Sequence, residues 1–161
     1  VASAQAVLVN SEVASSEAQT CLAEFYEKWQ DEALVVNQWL MVQATCSLEG
    51  GLDRVKALMQ HPAFDIKNPN KARSVIAAFT SNNPVNFHQR DGSGYGFLAE
   101  QIIVLNGLNP SMASRLLTPL TKWKKYSPER QAQMKAALTT IKNTPDLSKD
   151  VFEVVSKSLQ A

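Results

Sequence analysis

Apolar positions recur at helical spacing along almost the whole chain. Leu22, Phe25, Tyr26 and Trp29 follow an i, i+3, i+4, i+7 pattern that places one apolar stripe on a helix. After a break near Asp31–Ala33, the residues Val35, Trp39, Val42 and Cys46 repeat at close to 3.6 positions. Leu52, Val55, Leu58 and Met59 predict a third helix, opened by Gly50–Gly51 and closed at His61–Pro62. Further stripes follow at Ala72, Val75, Ile76 and Phe79, and at Tyr95, Leu98, Ile102 and Leu105. Met112, Leu116 and Leu120 come next, then Met134, Leu138 and Ile141, and last Val151, Val154 and Val155. No segment alternates apolar and polar residues with β-branched enrichment, so the chain reads as all-α.

The punctuation between these stripes is repetitive. Asn68-Pro69, Asn83-Pro84, Asn109-Pro110 and Ser127-Pro128 each put a capping side chain before a proline. An Asn or Ser oxygen accepts an orphan N–H at a helix start, and proline at the first helical position gives up no hydrogen bond. Four such starts imply many short helices joined by tight turns, packed as antiparallel neighbours. Their unequal spacing predicts an irregular α-α superhelix of helix pairs, HEAT- or armadillo-like, within a single domain over 1–161.

Composition adds little to this picture but excludes much. With 161 residues, 45% of them hydrophobic, the chain is long enough for one core and too apolar for a disordered segment. No apolar run approaches the ~20 residues a membrane span needs. Val1 to Asn10 lack the basic leader of a secretory signal, and a start at Val1 reads as excised from something longer. Cys21 and Cys46 fall among apolar neighbours and are expected as buried free thiols in a reducing cytoplasm, rather than as a disulfide or a reactive pair. The net charge of +1 hides an asymmetry. Nine acids against three bases through Asp65 give −6, and thirteen bases against six acids from Ile66 onward give +7. Such a field orients a domain against a partner, or is simply what solvated helix faces carry.

Candidate chemistry is sparse. The Gly92-x-Gly94-x-Gly96 pattern lacks the preceding strand and the spacing of a dinucleotide loop. It reads instead as a turn at Asp91–Gly92, with Gly94 opening the helix of Tyr95 and Leu98. His61 and His88 are the only histidines, H-E-x-x-H is absent, and no metal site is expected. His88 reads as a hydrogen-bonded structural residue. No G-x-S-x-G elbow is present, so no catalytic residue is assigned. Lys122-Trp123-Lys124-Lys125-Tyr126 mixes cations and aromatics as nucleic-acid binders do, but Trp123 and Tyr126 also suit a core turn, and a pI near 7.9 disfavours a nucleic-acid module.

The segment from Asn68 to Leu120 carries a more specific signal. Asn68-Pro69-Asn70 with Arg73, Asn83-Pro84, Phe87-His88, Asp91-Gly92-x-Gly94-Tyr95, Leu105-Asn106, Asn109-Pro110 and Ala113-Ser114-Arg115-Leu116 combine into one pattern. Together with Tyr126, Arg130-Gln131 and Met134 downstream, and Trp39 with Gln43-Ala44-Thr45 upstream, it closely resembles the C-terminal domain of bacterial aminopeptidase N. Ser111 and Lys125 depart from the family pattern, where Gln and Arg are expected. The resemblance implies a cytoplasmic metallopeptidase that removes single residues from peptide N-termini, with zinc held by another domain of the same polypeptide. It implies that this domain, itself inactive, closes the substrate chamber over that site and limits peptide access; the alternative reading is a free-standing helical-repeat scaffold that binds a protein partner. The implied partners are the catalytic domain and peptide substrates, with no nucleic acid and no membrane. Arg73 and Arg115 are the candidate chamber-facing residues, since a guanidinium fork suits a peptide carboxylate. The alternative is that they cap helix C-termini or pair with acids such as Asp91.

Overall fold

The computed structural model describes residues 15–160. The expectations placed on Val1 to Asn10 lie outside them. Among the described residues every regular element is helical, as the periodicity requires. The chain divides into two compact units, ending and beginning at Asn86 and Phe87.

The first unit holds α1 (Ser16–Trp29), α2 (Ala33–Ala44), α3 (Gly51–Met59) and a composite helix α4 over 69–82. Within α4 an α-turn Pro69–Ala72 leads into a π-helical turn Arg73–Ala77, followed by Ala78–Asn82. α2 is the hub, contacting α1, α3 and all three parts of α4. It can be so because its buried face is Val36, Trp39, Leu40 and Ala44. Of the expected stripe Val35, Trp39, Val42 and Cys46, Trp39 and Cys46 are buried, whereas Val35 and Val42 are half-buried beside the face that Val36 and Leu40 occupy. A helix that is apolar nearly all round carries too little contrast to fix its own phase. Cys46 is buried beyond the helix end, in the turn that follows. Cys21 corrects the expectation outright. It is exposed, because the buried face of α1 runs through Ala18 and Leu22 and leaves position 21 off it.

The turn between α2 and α3 is held by side chains from far along the chain. Asn83 Nδ2 donates to the carbonyls of Ala44 and Cys46 at 3.1 and 2.8 Å. Asn86 Nδ2 reaches Leu48 O at 3.1 Å and Asn83 Oδ1 at 3.0 Å, while its own Oδ1 accepts from Gly51 N at 3.1 Å. Arg54 donates to Glu49 O, Leu48 O and Cys46 O. Buried carbonyls must be paired, and here three side chains pair a whole turn that no ladder could serve. Gly50 takes a left-handed φ of 81° to start α3, and a Cβ on Gly51 would stand 2.4 Å from Asn86 Cγ. Asn83, expected as a helix cap, thus holds a distant turn through its amide nitrogen.

A short helix α5 (Pro84–Phe87) spans the unit boundary. The second unit holds α6 (Ser93–Leu108), α7 (Pro110–Leu116), α8 (Thr118–Thr121), a 3-10 turn Trp123–Lys125, α9 (Pro128–Lys142) and α10 (Lys149–Gln160). α6 packs on α7 and α9, and α10 on α7, α8 and α9. Tyr95, Leu98, Ile102, Leu105, Met134, Leu138 and Ile141 are buried, as their spacing predicts. Met112, Leu116 and Leu120 are buried too, but on two helices, since the chain breaks at Leu117 before Pro119. Asn68 and Asn109 cap their helices through their side chains, whereas Ser127 makes no such bond. The loop before α10 is stapled by Asn106, whose Oδ1 accepts from Ser148 N at 2.8 Å and whose Nδ2 donates to Asp146 O.

Candidate functional site

Arg73 lies at the first position of the π-helical turn in α4, in the first unit. Its neighbours Ala72, Ser74, Val75 and Ile76 are buried, so the widened turn presents the arginine outward from an otherwise internal stretch. Single π turns inside α-helices recur at functional positions. Arg115 lies in the last turn of α7, in the second unit, between buried Ala113 and Leu116 and also exposed. Among the described residues the only ion pair is Lys157–Glu153, and neither arginine's side chain has a hydrogen-bond partner. Asp91 is engaged elsewhere. Its Oδ1 accepts from Ser93 N at 2.9 Å and from Ser93 Oγ at 2.6 Å, which holds its carboxyl below the ordinary aspartate range. Both guanidinium groups are therefore free to meet an anion; Arg115 in addition stands where a cation favours a helix end.

The segment around His88 is a structural junction. His88 Nδ1 meets Tyr95 Oη at 2.7 Å, and its ring packs 4.5 Å from Tyr126 and 4.9 Å from Phe87. Arg130 donates through Nη2 to His88 O at 3.2 Å, and Gln133 Nε2 to Arg90 O at 2.7 Å. Two side chains one turn apart on α9 thus fasten the loop that leads into α6. Gly92 takes φ 73°, and a Cβ on Gly94 would fall 2.1 Å from Phe87 O. Gly92 therefore serves the turn read from the sequence, and Gly94 a close backbone approach that the sequence did not show. Burial, and then the Arg130 charge, push the His88 pKa below its ordinary value; burial alone does the same at His61. The phenol of Tyr95 is pushed up by burial.

Trp123 is buried, donates through Nε1 to Ser158 O at 3.1 Å, and carries Lys135 Nζ 4.2 Å from its ring centroid. Its face is not on offer to a stacked base. His61 and His88 belong to different units, and among the described residues no three of His, Cys, Asp and Glu gather as metal ligands do. What sequence reasoning missed is the Asn83–Asn86–Arg54 set. Its signal was the pair of asparagines at i, i+3 beside a Gly50-Gly51 turn, taken for ordinary capping.

Comparison with known proteins supplies the rest. Residues 1–160 match the family described as a domain of unknown function (DUF3458_C) with ARM repeats. The chain is 44% identical over 138 residues to aminopeptidase N of Escherichia coli, and 42% identical over 139 residues to that of Haemophilus influenzae. Each match covers 86% of this chain but only 16% of the relative. A crystal structure of Legionella pneumophila aminopeptidase A in complex with aspartic acid superposes with a TM-score of 0.91 at 34% identity, over 99% of this chain and 18% of that one. The chain thus spans about a sixth of the length of these relatives. It belongs to the DUF3458_C family of ARM-repeat domains, the C-terminal helical domain of aminopeptidase N-type chains.

Proposed function

We propose that this domain closes the substrate chamber of a zinc-dependent aminopeptidase and limits which peptides reach the active site, the catalytic zinc being held elsewhere in the same polypeptide. The observation that carries the reading is the one-sided coverage. Nearly all of this chain matches a small part of proteins named aminopeptidase. A non-catalytic wall accounts for a peptidase segment with no nucleophile elbow and no H-E-x-x-H of its own. Excluding bulk water from a chamber also strengthens the electrostatic contacts inside it.

Arg73 and Arg115 are the residues through which the wall would hold substrate, each binding or steering the distal carboxylate of a peptide. Their exposure and lack of protein partners support that role. The two free thiols suit a cytoplasmic setting. The test is kinetic and uses the full-length polypeptide. Arg73→Ala and Arg115→Ala should raise KM for peptides of several residues by about tenfold, the worth of one charged hydrogen bond. Aminoacyl chromogenic substrates, which have no distal carboxylate, should be hydrolysed unchanged. Equal peptide kinetics in wild type and variants would remove the arginines from the proposal.

A further inference from the structure

The first unit encloses a half-open hollow of about 290 Å³ between α1, α2 and α3. Leu22, Trp39 and Leu58 supply apolar walls, and Gln43, Arg54 and His61 supply polar edges. Arg54 is the one charged group lining it. Its terminal nitrogens donate to the neutral carbonyls of the α2–α3 turn, Nη1 to Glu49 O alone, so one Nη1 hydrogen stays uncommitted, and its Nε is buried without a hydrogen-bond partner. No carboxylate of the described residues pairs with it. A partly buried cation that meets only dipoles leaves an electrostatic demand that an anion would satisfy.

His61 completes the arrangement. Its Nδ1 accepts from Ala63 N at 3.0 Å, which puts the proton of the neutral ring on Nε2 and makes that edge a donor. The ring is fixed by Tyr26 at 4.7 Å and Trp39 at 5.0 Å. Trp39 is in turn fixed by its indole bond to Leu22 O at 3.0 Å. A few convergent polar groups on rigid apolar walls are the ordinary build of a small-ligand site.

We infer that this hollow binds a small carboxylate with an apolar body, its charge held by Arg54 and His61 and its hydrocarbon by Trp39, Leu22 and Leu58. The inference does not depend on the peptidase reading. Two sources share the chemistry, free apolar amino acids and simple branched carboxylic acids.

The test is an NMR titration of the 161-residue chain with L-leucine, 4-methylpentanoate and L-leucinamide, following the Trp39 indole N–H and the His61 ring. Saturable, millimolar shifts at both groups are expected with at least one carboxylate probe. Leucine alone would assign the site to amino acids, and 4-methylpentanoate to simple acids. Leucinamide should bind at least about tenfold more weakly, having lost the charged contact. Arg54→Met would unclamp the turn, so the hollow is closed instead by Ala57→Leu, which adds bulk from an exposed position on its rim. This variant should keep its helical circular dichroism and lose binding. Failure of both carboxylates to shift Trp39 and His61 in folded protein would overturn the assignment. So would equal binding of leucinamide, or full binding by Ala57→Leu.

Discussion

Individual residues decide more here than their types suggest. Asn68 and Asn83 both precede a proline, and the same capping role is legible in both from sequence. The structure separates them, because Asn83 turns its amide toward the carbonyls of Ala44 and Cys46. Their substitution should therefore cost different amounts. Asn68→Ala removes a cap and should cost about 1 kcal/mol. Asn83→Ala strips Ala44 O of its side-chain donor and Asn86→Ala leaves the Gly51 N–H unpaired, and each should cost about 2–3 kcal/mol. Chemical denaturation checks both; equal costs at 68 and 83 would mean that the buried set contributes nothing beyond a cap. The histidines give a second residue-scale expectation. His61 and His88 both lie below the ordinary value of 6.5 in the fold, so the unfolded chain binds more protons as acid is added. Their contribution to stability is complete above pH 6.5 and is lost as pH falls toward the lower folded values. The melting temperature should fall between about pH 7.5 and about pH 5, and the double variant His61→Gln/His88→Gln should flatten that slope.

At the scale of elements, the close approach at the start of α6 is the most exposed to a single change. Gly94→Ala would drive a methyl into Phe87 O, where backbone and not a flexible side chain must yield, and should cost more than about 3 kcal/mol. Gly96, two residues on, has nothing within 4 Å of a would-be Cβ and an exposed position. Gly96→Ala should instead stabilise by up to about 1 kcal/mol through helix propensity. Thermal melts of the pair distinguish a packing constraint from a general need for glycine. Where the sequence was readable follows the same logic. α6 and α9 show their buried faces directly, because Tyr95 to Leu105 and Met134 to Ile141 stand out against polar neighbours. α2 does not, since Leu34 and Met41 are as apolar as Trp39 yet lie exposed, and only tertiary contact selects the face. The π turn in α4 has no spacing signature, and the Ala72, Val75, Ile76 and Phe79 expected on one face are all buried across it. Of the candidate site, the arginines could be named from the resemblance, and their exposure could not. The hollow beside Arg54 joins residues of α1, α2 and α3 that no local pattern links.

For the whole molecule, charge is divided unevenly along the chain, with −6 through Asp65 and +7 beyond it. Such a field suits orientation against a partner, here proposed to be the remainder of an aminopeptidase chain, since this chain spans about a sixth of its relatives. Taken alone, the 161-residue chain should fold, bind no stoichiometric zinc and hydrolyse no aminoacyl chromogenic substrate. The decisive measurement compares the full-length enzyme with a version lacking this domain, its remaining fold verified by circular dichroism. One N-terminal sequence is supplied as a free peptide and as an extension on a tightly folded protein. The account predicts that the intact enzyme trims the free peptide and spares the extension, whereas the shortened enzyme attacks both. Unchanged discrimination after the domain is removed would contradict it.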